Sequence, residues 1–388
     1  MIVTLKDITT KITKGTTPTS IGCKFEKSGI NFIKSESLVD GKTIDKSKFA
    51  FISERTHERL KRSQIEKNDI LFSMAGMFLG KTGIATAEVV PANTNQAVAI
   101  IRVDDTKANY EYVYYYLNQK SVIHTINTTS AQSAQPNINL KQIGEIKINL
   151  PDRKKQDQIV SLLSAIDLKI SNNVEINDNL EQQAAALFSS LYNRSNTEVR
   201  YTDLIQILGG GTPKTGETAY WNGNIAFFTP KDVGTPYTFI TEKTITEEGL
   251  SHCNSRLYPV NTVFVTARGT VGKVGLSGVP MAMNQSCYAL VGKETHQLLV
   301  YFYTLKAVDR LKHKASGAVF DAITTRDFDS EQIMKLSDDD AKAFLCVAEP
   351  MFQEILNNSI ENLRLSTLRD FLLPKLMSGE IGVSSVQL

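Results

Sequence analysis

Apolar residues return every three or four positions from Gln156 to Arg194, at Ile159, Leu163, Ile166, Ile170, Leu180, Ala184, Leu187 and Leu191. That spacing keeps one stripe on one side of a helix. The stretch contains no Pro and no Gly. Pro151 precedes it, and Asp152 and Asp157 lie near its start, where the positive end of a helix dipole favours acidic groups. At about 1.5 Å per residue the pattern predicts a rod of roughly 60 Å. Such a helix in mid-chain reads as a spacer. A second helical pattern runs from about Asp338 to Ser378 and closes the chain.

The segments before and between these helices look different. Residues 30–35, 48–53, 69–75 and 97–103 are short β-rich runs separated by turn residues. A Tyr-rich helix is predicted at Glu111–Gln119, with a counterpart at Gln297–Lys306, and both read as core. The fold class is therefore mixed α/β.

The second half repeats the first. Residues 12–20 (ITKGTTPTS) are echoed 195 positions on by residues 207–215 (ILGGGTPKT), and residues 30–33 (INFI) by 225–228 (IAFF). In the same order follow 68–72 and 261–265, Gly80-Lys81 and Gly272-Lys273, Asn95-Gln96 and Asn284-Gln285, and 113–116 and 300–303. Such a collinear series is a tandem duplication. The long helices take part, because Ile166, Ile170, Asn173, Asn177 and Leu180 fall on Met351, Ile355, Asn358, Asn362 and Leu365. Each helix thus carries two Asn where a helix–helix seam should be apolar. A buried Asn costs stability but sets register, because any other alignment leaves its amide unsatisfied. Two antiparallel helices in contact are expected.

Bulk composition adds limits. With 388 residues, 41% hydrophobic and 22% charged, the chain is globular and long enough for several domains. The net charge is +2, but residues 1–150 are Lys-rich and basic while residues 197–338 are near neutral. Cys23, Cys253, Cys287 and Cys346 are scattered, with no CxxC spacing, so neither a zinc site nor a disulfide framework is expected. No run approaches the roughly 18 apolar residues of a membrane span. A cytoplasmic protein is expected.

Few motifs suggest chemistry. Residues 75–82 (AGMFLGKT) satisfy a relaxed phosphate-loop pattern, but residues 83–91 read as strand and turn rather than the helix such a loop must open. The repeat also puts Val274 in place of Thr82, removing the magnesium-binding hydroxyl. No loop for S-adenosylmethionine, no base-methylation motif and no Ser-His-Asp spacing is present. What remains are turns with polar and basic residues at repeated places. Lys14, Thr16, Thr17, Lys34, Ser35, Gly76, Lys81, Gln132 and Gln135 in the first half are candidate DNA contacts. Lys214, Lys231, Arg268, Lys273 and Arg326 are the candidates in the second. Backbone amides and Lys suit phosphate, Gln suits an adenine edge, and Arg268 suits a guanine edge. The bland alternatives are β-turns chosen for geometry and solvated loops.

Two mixed domains, each followed by a long helix, with Thr-Pro, Gly-Lys and Asn-Gln landmarks in one order, resemble the DNA-specificity subunit of a Type I restriction-modification system. The resemblance covers nearly the whole chain. It implies two tandemly repeated globular target recognition domains, 1–150 and 196–337, separated by two long antiparallel coiled-coil helices, 151–195 and 338–388. It implies a non-catalytic subunit that reads a bipartite site in double-stranded DNA. The seam would use Ile166, Ile170, Asn173, Asn177, Leu180, Ile355, Asn358, Asn362 and Leu365. Expected partners are two methyltransferase subunits, which would bind S-adenosylmethionine, and two restriction subunits, which would use ATP and Mg; this chain would bind no cofactor. The rival readings are a coiled-coil adaptor and a nucleotide-binding protein using the Gly80-Lys81-Thr82 loop.

Overall fold

A computed structural model describes every residue except 40, 131–136, 235, 315–321 and 387–388. The chain forms two compact units, Met1–Leu168 with Leu365–Leu388, and Lys169–Arg364.

In the first unit eight strands make two four-stranded sheets. They are β1 (Thr9–Lys14), β2 (Ile30–Ile33), β3 (Ala50–Ile52), β4 (Gln64–Ile65), β5 (Ile70–Ser73), β6 (Thr82–Ile84), β7 (Ala92–Thr94) and β8 (Val98–Val103). One sheet runs β1-β8-β5-β6, antiparallel throughout. The other runs β3-β2-β7-β4, with β2 and β7 parallel. All four residues of β5 are buried, so its apolar run is unbroken rather than alternating, as in a strand covered on both faces. Ile33, Leu71, Val98 and Ile100 belong to one buried cluster. Helix α1 (Tyr110–Leu117) starts where the Asn109 side chain accepts the amides of Glu111 and Tyr112. It buries Tyr112, Tyr114 and Tyr115, so these three rings are core, while Tyr110 and Tyr116 are half-buried. The expected continuation to Gln119 breaks at Asn118, and a separate helix begins at Lys120.

The second unit reuses this plan. Its strands are β9 (Ile205–Gly209), β10 (Trp221–Phe228), β11 (Tyr237–Thr238), β12 (Lys243–Ile245), β13 (Val263–Thr266), β14 (Val274–Ser277), β15 (Met281–Met283) and β16 (Cys287–Gly292). The order β9-β16-β13-β14 repeats β1-β8-β5-β6, with β11 added at the edge. The order β12-β10-β15 repeats β3-β2-β7, again with one parallel pair. Helix α2 spans Arg153–Arg194, α3 spans Gln297–Lys314 and α4 spans Asp338–Ser378. Phe188 of α2 stacks on Phe302 of α3 at 5.1 Å and meets Phe344 of α4 edge-on at 5.4 Å. One aromatic core therefore joins the sheets of this unit to its two helix segments. In the first unit the joint includes polar groups. The Tyr115 hydroxyl donates to Asp167 Oδ2 at 2.5 Å, and Arg369 Nη1 donates to Asp167 Oδ1 at 3.0 Å.

Helix α2 begins at Arg153, three residues before the Gln156 start that the sequence pattern predicts, because the Asp152 carboxylate accepts the Lys155 amide and caps the end. The stripe itself shifts at one place. Phe188 is buried, while Leu187 beside it is only half-buried. Inside the second unit α2 and α4 run antiparallel, with Arg194 opposite Asp340, Asn177 opposite Asn358 and Asn173 opposite Asn362. Asn358 Nδ2 donates to Asn177 Oδ1 at 3.0 Å, and Asn173 Nδ2 donates to Asn362 Oδ1 at 2.9 Å. The two bonds are images of each other under the sequence duplication. So are the longer ones from Asn177 Nδ2 to the Ile355 carbonyl and from Asn362 Nδ2 to the Ile170 carbonyl. Asn173 is fully buried and Asn358 nearly so. Each amide satisfies its partner only in this alignment, which is how the four Asn set register.

Replacing Asn177 and Asn358 by Ala, singly and together, is expected to give a coupling free energy of about 0.5–3 kcal/mol. Urea unfolding midpoints and slopes measure it, and strict additivity would show that the two amides act independently.

Candidate nucleic-acid interface

Strand register decides which of the repeated turns meet. Lys14 at the end of β1 pairs with Ala99 near the start of β8. Val98 pairs with Ser73 at the end of β5, and Phe72 pairs with Thr82 at the start of β6. In the second sheet Ile33, the last residue of β2, pairs with Thr94, the last of β7. The turns holding Lys14–Thr17, Lys34-Ser35, Gly76–Lys81 and Asn95-Gln96 therefore all leave the same end of the first unit's sheets. The second unit gathers its equivalents in the same way, through Gly209 with Tyr288, Thr266 with Cys287, Val265 with Val274 and Phe228 with Met283.

Contacts between these turns explain the landmarks. The amides of Gly15 and Thr16 donate to the carbonyls of Asn95 and Thr94 at 3.0 and 3.1 Å. The Thr17 hydroxyl donates to Gln96 Oε1 at 2.5 Å, and its counterpart Thr212 donates to Gln285 Oε1. Each Thr-Pro turn is thus locked to its own Asn-Gln turn. Glycine is required at the crossing, because a Cβ on Gly15 would lie 1.7 Å from the Thr94 carbonyl oxygen. On Gly210 it would lie 2.2 Å from that of Asn284. The Gly-Lys pairs close the β5–β6 and β13–β14 hairpins, with Gly80 at φ +85° and Gly272 at φ +74°. Strand β6 follows directly, and the buried Thr82 hydroxyl is bonded to Asn118 at 2.9 Å. This hairpin offers no helix N-terminus to a nucleotide phosphate.

The candidate contacts fall into three groups. Thr17 is committed to the lock, and Thr16 accepts a hydrogen bond from Arg62 Nη2 at 3.0 Å. Arg62 is a cation at this edge that no motif marked. Ser35 starts a short 3-10 turn, and Gly76 sits at φ +70°. Among the cations, Lys14 and Lys81 are half-buried, while Lys214, Arg268, Lys273 and Arg326 are exposed. Lys34 lies 3.6 Å from Glu36 and 5.5 Å from the Phe25 ring, and Lys231 lies 3.5 Å from Glu242. Arg268 pairs through its backbone with Ala322, just as Ala75 pairs with Asn137, so the same position carries Arg in one unit and Ala in the other. Arg326 lies in the first turn of the helix Thr325–Ser330 that follows Ala322. Gln132 and Gln135 lie outside the described residues.

The opposite end of the first unit's sheet carries a different kind of charge. Arg102 Nε and Nη2 each donate to the fully buried Asp69 at 2.8 Å, a bidentate pair that raises the guanidinium pKa further. Burial pushes the Cys287 thiol up to about 12, so this residue at the second unit's turn end stays protonated and inert.

A family model described as "Type I restriction modification DNA specificity domain" matches residues 1–182 and 193–335. The chain is 22% identical to the Type I restriction enzyme HindI specificity subunit of Haemophilus influenzae, across 82% of this chain and 88% of that protein. It is 27% identical to the EcoR124I/EcoR124II specificity subunit of Escherichia coli, across 55% of this chain and 54% of that one. A crystal structure of the S subunit of a Type I restriction-modification system from M. genitalium shares the fold. Its TM-score is 0.58 at 15% identity, covering 97% of this chain and 96% of that one.

Gly15→Ala is expected to lower stability by at least about 2 kcal/mol, because backbone must move to admit the methyl group. Gly216→Ala, with nothing within 4 Å of the added Cβ, is the neutral control. Denaturation of the two variants side by side is the measurement.

Proposed function

The chain belongs to the Type I restriction-modification DNA specificity family, and from that premise we propose that it reads a bipartite site in double-stranded DNA. Each unit contacts one half of the site through the end of its sheets where the repeated turns converge. Lys14, Lys81, Lys214 and Lys273 anchor phosphates, and Arg268 reads a base edge. The chain performs no chemistry itself. Its helix pair docks two methyltransferase subunits and, with them, two restriction subunits. The methyltransferase partner supplies S-adenosylmethionine chemistry and flips out the target adenine. The restriction partner supplies ATP- and Mg-dependent cleavage.

One observation carries this reading. The same strand-end scaffold occurs twice, held by equivalent Thr–Gln locks, yet it presents different side chains. Ala75 stands in one unit where Arg268 stands in the other. Two readers of unlike half-sites need a constant frame and variable tips.

Exchange of residues 1–150 for those of another member of the family tests the reading. Mapping of methylated adenines should then show one half-site changed and the other kept; an unchanged pattern would sink the proposal. Single variants give a finer check. Lys273→Ala should weaken cognate and scrambled duplexes alike and reduce the salt slope by about one. Arg268→Ala should cost about 1–3 kcal/mol on the cognate duplex and relax specificity at one position. Fluorescence titrations at several salt concentrations separate the two.

A further inference from the structure

The tip of the β5–β6 hairpin carries a side chain that neither phosphate anchoring nor hydrogen-bonded base reading uses. Met77 is 88% exposed, more than any other large apolar residue among those described. A single exposed apolar side chain is ordinary on a protein surface. Three features make this one different.

The first is place. The tip lies between Gly76 and Lys81, at the sheet end where Lys14, Lys34 and Arg62 also gather. The second is the stiffness of its support. The Met74 amide donates to the Ala97 carbonyl at 2.8 Å, and the Met74 carbonyl accepts the Ile138 amide at 2.9 Å. The Ser73 and Gly80 backbones close the hairpin, Leu79 is buried beneath it, and Gly76–Phe78 form a 3-10 turn. Glycines in the left-handed region flank the turn, at φ +70° for Gly76 and +85° for Gly80. The backbone is therefore set while the Met side chain is left pointing outward.

The third is the comparison with the other unit. There the same hairpin is one residue shorter. Only Thr270 and Val271 stand between Gly269 and Gly272, where Met77, Phe78 and Leu79 stand between Gly76 and Gly80. Thr270 is tied down, its hydroxyl donating to the Pro230 carbonyl at 3.0 Å. The second unit's tip is short, polar and fastened, with Arg268 beside it. The first unit's tip is longer and apolar, with Ala75 in the Arg position.

We propose that Met77 is a wedge that enters a base step of the half-site read by the first unit. Apolar side chains of this kind unstack a step and deform the duplex, so sequence is read through how easily the step opens. Met suits the task because its unbranched, polarisable chain fits an irregular gap. The second unit, lacking such a group, relies on Arg268 and leaves its half-site stacked. The inference rests on the DNA-reading function proposed above.

The test uses the full chain with its methyltransferase partner and cognate duplexes carrying 2-aminopurine at successive positions of both half-sites. Apart from the target adenines that the partner flips, wild-type protein should raise the fluorescence at one step, in the first unit's half-site. Met77→Ala and Met77→Gly should abolish that rise and weaken cognate binding on the order of tenfold, with scrambled duplex unaffected. Met77→Leu should keep both. The target adenines, which the partner flips in wild type and variants alike, are left out of the comparison; at any other step a rise that persists in Met77→Ala overturns the wedge. So does an affinity loss without any rise, which would mark a surface contact such as one with a thymine methyl, and so does a Met77→Ala variant indistinguishable from wild type. If wild-type protein does not prefer cognate over scrambled duplex, the DNA-reading function fails and the wedge fails with it. Because Met77 is exposed, none of these substitutions removes core packing.

Discussion

Buried amides in the helix seam are the constraint on which the arrangement depends. Asn358 donates to Asn177 and Asn173 donates to Asn362 across the seam, where Ser359 and Glu361 also accept from Asn177 and Asn173. An amide left unpaired there would cost about 1–3 kcal/mol. Sliding either helix by a turn would strand several at once. The pairs are related by the duplication, so the same two positions of the repeat meet crosswise in both. An antiparallel pair of duplicated helices is the geometry in which equivalent residues face each other crosswise. Seam specificity is therefore obtained twice from one sequence pattern. The side-chain oxygen Oδ1 of Asn173 has no hydrogen-bond partner among the described residues, so the match is bought at some cost in stability.

The sheet ends repeat the same economy at smaller scale. A Thr hydroxyl, a Gln carbonyl and a Gly without Cβ lock two turns together in each unit. The lock leaves adjacent tips free to differ without disturbing the frame. Arg268 and Ala75 occupy one such tip position, and hairpin length differs at another. Charge follows the same division. The bidentate Arg102–Asp69 pair belongs to the far end of the sheet and serves the fold, whereas the lysines of the turns face outward or lie half-buried at the near end.

Much of this was legible in the sequence, and for definite reasons. The long helices announce themselves because helix periodicity is local and repeats over forty residues. The duplication shows because the landmarks keep their order. Asn at seam positions shows because polar residues interrupt an apolar stripe at matching places in both copies. Other features were not visible. The Thr17–Gln96 lock joins residues 79 apart, and nothing in either segment names its partner. Thr17 is a candidate DNA contact by its sequence, and that its hydroxyl donates to Gln96 shows only in the structure. Arg62 carried no motif at all. The position of Phe188 in the aromatic core was hidden behind Leu187, since both satisfy the stripe within one residue and only packing against Phe302 and Phe344 selects between them.

The sequence by itself determined the two mixed domains, the two long helices, their equivalence and the polar interruptions of their seam. These properties depend on residue type and spacing along the chain. Tertiary structure decided which turns share one sheet end, which hydroxyls are spent on holding that end together, and which tips stand clear of it. Those outcomes depend on strand register and close approach. Both come from contacts between segments tens of residues apart, and a local pattern carries no information about its distant partner.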